Sequence, residues 1–123
     1  MNNTRLVPSG SNSFLIRIDD TSHGDIKGVV DGASLKNPLE FSSFMNLVFK
    51  LENILDEQDD FFMTEELNVF KVPDDFEPDL ELEVLFRQNH SWQGKIRLLE
   101  QKKEATFRSV LELLIFFCTV YEI

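Results

Sequence analysis

The stretch SWQGKIRLLEQKKEATFRSVLEL, residues 91–113, decides the fold. Trp92, Gly94, Ile96 and Leu98 alternate with Gln93, Lys95 and Arg97, the period of two that a half-buried strand requires. A basic turn and a short strand ending at Phe107 follow. The period then changes. In Ser109-x-x-Glu112 the hydroxyl accepts from an amide of the first turn and the carboxylate reaches back, which satisfies the orphan donors of a helix start. The 3.6-residue apolar spacing begins there.

Working outward, a shift of 66 residues with no gap lays 14–55 onto 80–121. Phe14, Ile16 and Ile18 fall on Leu80, Leu82 and Val84, which belong to an earlier strand in each half. Ile26, Gly28 and Val30 fall on Trp92, Gly94 and Ile96, and Phe41, Ser43 and Leu47 on Phe107, Ser109 and Leu113. The quoted stretch is thus the end of the second of two β-β-β-α units, residues 14–55 and 80–123. The expected fold is α+β: two such repeats in a pseudo-twofold arrangement, antiparallel strands in one sheet or two abutting sheets, and both helices packed on it, as a single compact domain.

Inside that frame, Gly28 and Gly94 stand at inward-facing strand positions. They mark a bulge or a close approach by Trp92 or a helix residue. The first helix, roughly Ser43 to Leu55, gathers Phe44, Met45, Leu47, Val48, Leu51, Ile54 and Leu55 on one broad face. Ser43 caps it, with Asn46 in place of the acid. The second helix, VLELLIFFCTVYEI, is apolar almost all round and so calls for cover on two sides. Two covers are open: the linker between the repeats, or a second copy of the chain in a homodimer.

Residues 1–13 are polar and read as a flexible arm. Residues 56–79 read as an acidic linker with its aromatics, among them Phe61, Phe62, Phe70 and Phe76, docked on the domain. The chain carries 12 basic and 22 acidic residues, a formal charge of -10. Residues 51–83 alone hold thirteen acids against Lys71. So acidic a chain repels phosphate, which argues against direct nucleic-acid binding despite the basic strip of Lys95, Arg97, Lys102, Lys103 and Arg108. That strip is expected to meet the acidic linker.

Chemistry-bearing residues are few. His23 and His90 lie in polar loops, the one cysteine, Cys118, sits in an apolar run, and no metal-ligand or phosphate-loop spacing occurs, so no cofactor and no metal is expected. Catalysis by Ser22 or Ser91 would need a histidine oriented by a carboxylate, and adjacency in sequence does not supply that geometry. A lone cysteine without disulfide partner points to a reducing, cytoplasmic location, and the longest apolar run, 113–121, is too short to span a membrane.

SWQGKI at 91–96 and FRSVLEL at 107–113 resemble a group of short bacterial proteins carrying SWQG and FRS-x-LEL-like motifs. The resemblance implies a recurring small domain and carries over no site. The functional expectation is a small, non-catalytic interaction or regulatory protein that meets a protein partner through Trp92, Gln93, Lys95, Arg97 and Arg108. The alternative is an acidic mimic of nucleic acid that inhibits a nucleic-acid-processing protein through Asp59, Asp60, Glu65 and Glu66. A hydrolase ranks third.

Overall fold

The computed structural model describes residues 5–9, 12–32, 35–59, 68–72, 76–88 and 91–123. In chain order these form strands β1 (Arg5–Ser9), β2 (Ser13–Asp20), β3 (Lys27–Gly32) and β4 (Leu39–Phe41), then helix α1 (Phe44–Asp59). Strands β5 (Asn68–Val72), β6 (Leu80–Gln88), β7 (Ser91–Leu98) and β8 (Lys103–Phe107) and helix α2 (Val110–Tyr121) complete it. Six strands make one antiparallel sheet in the order β4-β3-β2-β6-β7-β8. The α+β reading therefore holds, with one main sheet. A separate antiparallel pair, β1 with β5, has no counterpart in the sequence reading, which expects an arm at 1–13 and a linker at 56–79.

The middle of the sheet is the pairing of β2 with β6, where Phe14 opposes Leu82, Leu15 opposes Glu81 and Ile16 opposes Leu80. Alternation sends Phe14, Ile16, Leu80, Leu82, Val30, Trp92 and Ile96 to one face, where Phe44, Leu47, Leu51 and Leu55 of α1 and Leu113 and Phe117 of α2 cover them in one buried cluster. Each side chain so buried contributes roughly 1.5–3 kcal/mol. Phe44 meets Phe117 edge-on at 5.7 Å between ring centres, joining the helices above the sheet.

Both inward glycines adjoin a bulge. Register slips between Ile18 and Asp20 opposite Gly28, and between Val84 and Phe86 opposite Gly94. A Cβ at Gly28 would stand 1.9 Å from the Arg17 carbonyl oxygen, and one at Gly94 the same distance from that of Glu83. The space above each glycine belongs to the phenylalanine paired with it across the sheet, Phe41 or Phe107, whose ring tip lies 3.1 Å from the built Cβ position. The expected fillers, Trp92 or a helix residue, are thus replaced by a cross-strand aromatic, which restores packing that a strand glycine forfeits.

Both helix starts are built alike. The Ser109 hydroxyl accepts from the Glu112 amide at 3.1 Å, and the Glu112 carboxylate accepts from the Arg108 amide at 3.0 Å. At α1, Ser43 accepts from the Asn46 amide at 3.0 Å while the Asn46 side-chain oxygen accepts from the Ser42 amide at 3.0 Å. Asn46 therefore performs the reciprocal half that an acid would. Asp25 adds a third acceptor, taking the Phe44 amide at 2.8 Å.

The opposite face of the sheet is more polar, with Arg17, Glu81, Glu83, Lys95 and Arg97 half-buried among the described residues. Leu15 and Phe76 form a small buried pair there with Val29 and Leu99 against it. Arg17 lies 5.6 Å from the centre of the Phe76 ring. Of the linker aromatics, Phe76 is thus docked; Phe61 and Phe62 lie outside the described residues. Asp31, only 4% exposed, accepts the Gly32 amide at 2.8 Å. Burial raises its pKa from the ordinary 3.8, against that one hydrogen bond. A carboxyl whose folded pKa is raised costs stability while it is charged, and the cost disappears as pH falls through that raised value. Asp31→Asn is accordingly expected to raise the urea midpoint at pH 7, with the gain over the parent shrinking as pH falls through the raised pKa of Asp31.

Candidate interaction surface

The sheet face away from the helices holds Gln93, Lys95 and Arg97, three of the five residues that the sequence reading favours. Lys95 and Arg97 project from β7 away from the core. The Arg97 guanidinium reaches Glu81 at 3.1 Å, Glu83 at 3.2 Å and Glu104 at 3.2 Å, and Lys95 lies 3.8 Å from Glu104. Partial burial works against the charge on Arg97, but the hydrogen bond to Glu83 and the fields of Glu81, Glu83 and Glu104 outweigh it and raise its pKa. Lys95 and Arg97 therefore meet carboxylates of the neighbouring strands β6 and β8, while the linker acids Asp60, Glu65, Glu66, Asp74 and Asp75, which the sequence suggests as partners, lie outside the described residues. A guanidinium shared among three carboxylates is neutralised on its own sheet.

Gln93 is exposed on the same face. Arg108 is not with it: it sits where β8 turns into α2, exposed, 3.6 Å from Glu112. Trp92 is fully buried, and its indole N–H donates to the Glu52 carboxylate on α1. This corrects its assignment to an outer patch: a strand alternation that puts Ile96 in the core puts Trp92 there too. Glu52 also lies 3.4 Å from Arg87, which pairs in addition with Asp56. Trp92, Glu52, Arg87 and Asp56 together tie the β6-β7 hairpin to α1. Of the acidic quartet, Asp59 ends α1, while Asp60, Glu65 and Glu66 lie outside the described residues, as does His90.

His23 borders a shallow cavity of about 250 Å³ with Asp20, Asp25, Lys27 and Ser42. The hydrogen bond from the Ser22 amide holds the Asp20 carboxylate below its usual pKa. Ser22 Oγ stands 3.1 Å from His23 Nδ1, and Asp20 stands 3.9 Å from that same nitrogen. A nucleophilic relay needs hydroxyl and carboxylate on opposite ring nitrogens. This trio has both on one. Among the described residues no group of three or more His, Cys, Asp or Glu side chains could hold a metal ion, and no helix is long and apolar enough to cross a membrane.

Among the described residues, the most exposed large apolar side chains lie elsewhere. Met45 and Phe49 on α1 are 62% and 66% exposed, and Leu111 and Ile115 on α2 are 64% and 55% exposed. In each helix the two are four residues apart, one turn, and lie on the side turned away from the buried stripe of Leu47 and Leu51 or of Leu113 and Phe117. Met45 thus leaves the buried face that its sequence spacing suggested. The second helix, expected to be covered on both sides, presents its outer stripe. The sequence signal was available: Phe49 falls two positions from both Leu47 and Leu51, half a turn off the core stripe. Comparison of the chain with protein-family models, with curated proteins and with solved structures gives no match.

Proposed function

We propose that this chain is a small, non-catalytic, cytoplasmic interaction or regulatory protein that engages a protein partner through the outer face of its helix layer. The observation that carries the reading is the exposure of Met45, Phe49, Leu111 and Ile115 together. Exposed large apolar side chains paired one turn apart, and recurring on both helices, mark a contact site more often than scattered single residues do. The basic strip does not compete as a site for phosphate, because Arg97 is already held by three carboxylates of its own sheet.

The duplication belongs to the same reading. We infer that residues 14–55 and 80–121 descend from one β-β-β-α unit and are related by a pseudo-twofold axis between β2 and β6. Support comes from the recurrence at a 66-residue spacing of the glycine–phenylalanine pairs, the adjoining bulges and the serine caps. The exposed residues follow that spacing as well: Met45 corresponds to Leu111 and Phe49 to Ile115. Duplication would have copied a contact stripe along with the fold.

The test is capture of partners from lysate of the source cells by the parent chain and by the double variant Phe49→Ser, Ile115→Ser. Both sites are exposed, so circular dichroism and the urea midpoint should match the parent, to within about 0.5 kcal/mol per site. Capture should be lost. Retention of every captured protein by the variant would reject the helix face, and loss of capture on charge reversal of Asp59, Asp60, Glu65 and Glu66 instead would move the function to the acidic segment.

A further inference from the structure

We propose that the outer edge of β8 is a docking site for an extended, acidic segment of a protein partner, which joins the sheet as a further strand. β4 closes the six-stranded sheet on one side and β8 on the other. An edge strand leaves every second residue's amide and carbonyl unpaired, and folded proteins ordinarily blunt such a row with proline, lysine, a bulge or a very short strand. Among the described residues, one edge of this sheet is blocked and the other is open.

Hydrogen bonds of the inner strands fix which groups of β8 point outward. The Leu99 amide, at the end of β7, donates to the Asp79 carbonyl at 3.1 Å, on the β6 side. Amides change side at each residue of a strand, so those of Leu98, Ile96 and Gly94 face β8, and their partners Lys103, Ala105 and Phe107 face back at them. The Val84 amide gives the same phase, since it donates to the Asn12 carbonyl on the β2 side at 3.0 Å. The amides and carbonyls of Glu104 and Thr106 therefore point away from the sheet. Among the described residues nothing is hydrogen-bonded to them.

The first half of the chain supplies the comparison. The 66-residue offset lays Pro38 on Glu104, Glu40 on Thr106 and Lys50 on Phe116. Strand β4 has only three residues; position 38 before it is a proline with no amide to offer, and the Glu40 carbonyl accepts from the Lys50 ammonium. Strand β8 has five residues and pairs with β7 without a bulge. Glu104 and Thr106 both keep their amides, and Phe116 has nothing to donate to the Thr106 carbonyl. Lys103 does not take over the blocking role, because it is the first residue of the strand and its own amide faces β7.

Charge selects the occupant. Lys102 and Lys103 are exposed and have no ion-pair partner among the described residues, whereas the Glu104 carboxylate is turned to Arg97 at 3.2 Å and to Lys95 at 3.8 Å. The unbalanced charge at this edge is thus positive in a chain of net charge -10. It favours an extended segment that brings carboxylates to Lys102 and Lys103. A second copy fits less well: the one antiparallel register that pairs all of β8 with itself centres on Ala105 and sets Lys102 against Arg108 of the other copy. A contact this short is weak, in the class of transient encounters, so it adds to the helix face and does not replace it.

The test titrates the full chain with a synthetic peptide of alternating valine and threonine that carries glutamates at both ends, so that either strand direction brings a carboxylate to Lys102. Amide hydrogen exchange and amide NMR shifts are the readout. In the free chain the amides of Glu104 and Thr106 should exchange faster than those of Ala105 and Phe107, and the peptide should shift and protect them. Affinity should fall by about tenfold for a lysine-ended peptide, and by about as much for the exposed double variant Lys102→Glu, Lys103→Glu. Protection at Glu104 should be lost with a peptide N-methylated along its backbone, and in Thr106→Pro, which removes an outward amide and spares the β7-β8 ladder. The Phe49→Ser, Ile115→Ser variant should bind the peptide as the parent does. A peptide that leaves Glu104 and Thr106 unshifted overturns the proposal, as does one that binds equally well with lysine ends or with a methylated backbone. Loss of binding to the Phe49→Ser, Ile115→Ser variant overturns it by moving the peptide to the helix face. Slow exchange of both amides in the free chain, with a doubled light-scattering mass, overturns it in favour of a second copy.

Discussion

Gly94→Ala is expected to cost about 3 kcal/mol or more, enough to unfold much of the population of a small domain. The added methyl has nowhere to go. Its Cβ would stand 1.9 Å from the Glu83 carbonyl oxygen, and that oxygen belongs to the backbone of a central strand held on its other side by β2. Relief requires the β6-β7 bulge to open, which would also move Phe107 off the glycine and unseat the start of α2. Gly28→Ala meets the same obstacle at the Arg17 carbonyl and should lose a comparable amount. Urea titration followed by circular dichroism checks both. A midpoint unchanged within error for either variant would show that the strand tolerates a side chain there.

The second large effect falls on Trp92. Trp92→Ala should cost about 3–5 kcal/mol, the range for deleting a large buried aromatic. Part of that loss is polar. Glu52 loses its indole donor while still facing Arg87, so Trp92→Phe should cost about 1–3 kcal/mol even though most of the ring volume remains. Tryptophan fluorescence of the parent supplies a second readout: a fully buried indole should resist an aqueous quencher until the chain unfolds. Ready quenching in the folded state would place Trp92 at the surface, where the sequence reading put it.

Those two sites also show what was legible in the sequence. The glycines, the alternating strands, the serine caps and the α+β class could be read because each depends on residues close together in the chain. Gly94 announces its bulge by being a glycine at an inward strand position; Ser109 and Glu112 announce a helix start by their spacing. The filler over Gly94 was not legible, since Phe107 comes from the next strand and only the register decides that it stands opposite.

Trp92 was misplaced for a different reason. Its neighbours Gln93, Lys95 and Arg97 are polar, and a tryptophan among polar residues reads as a contact anchor, although strict alternation assigns it to the Ile96 side. The partners of Arg97 among the described residues are not legible either, because Glu81, Glu83 and Glu104 surround it only once β6, β7 and β8 are adjacent. The pairing of β1 with β5 left no periodic signal in five-residue strands, one of which contains Pro8. As for Met45 and Phe49, apolar residues on a helix are read as core by default; only the position of α1 on the sheet shows which turn away.

Hydroxyl-radical footprinting of the chain, free and bound to its captured partner, tests the central claim most directly because it reports on side chains at the surface. The account predicts that Met45 and Phe49 oxidise readily in the free chain and are protected in the complex, together with Leu111 and Ile115, while residues of the open sheet face around Gln93 and Lys95 keep their reactivity. Protection of the sheet face with Met45 and Phe49 still oxidised would contradict it.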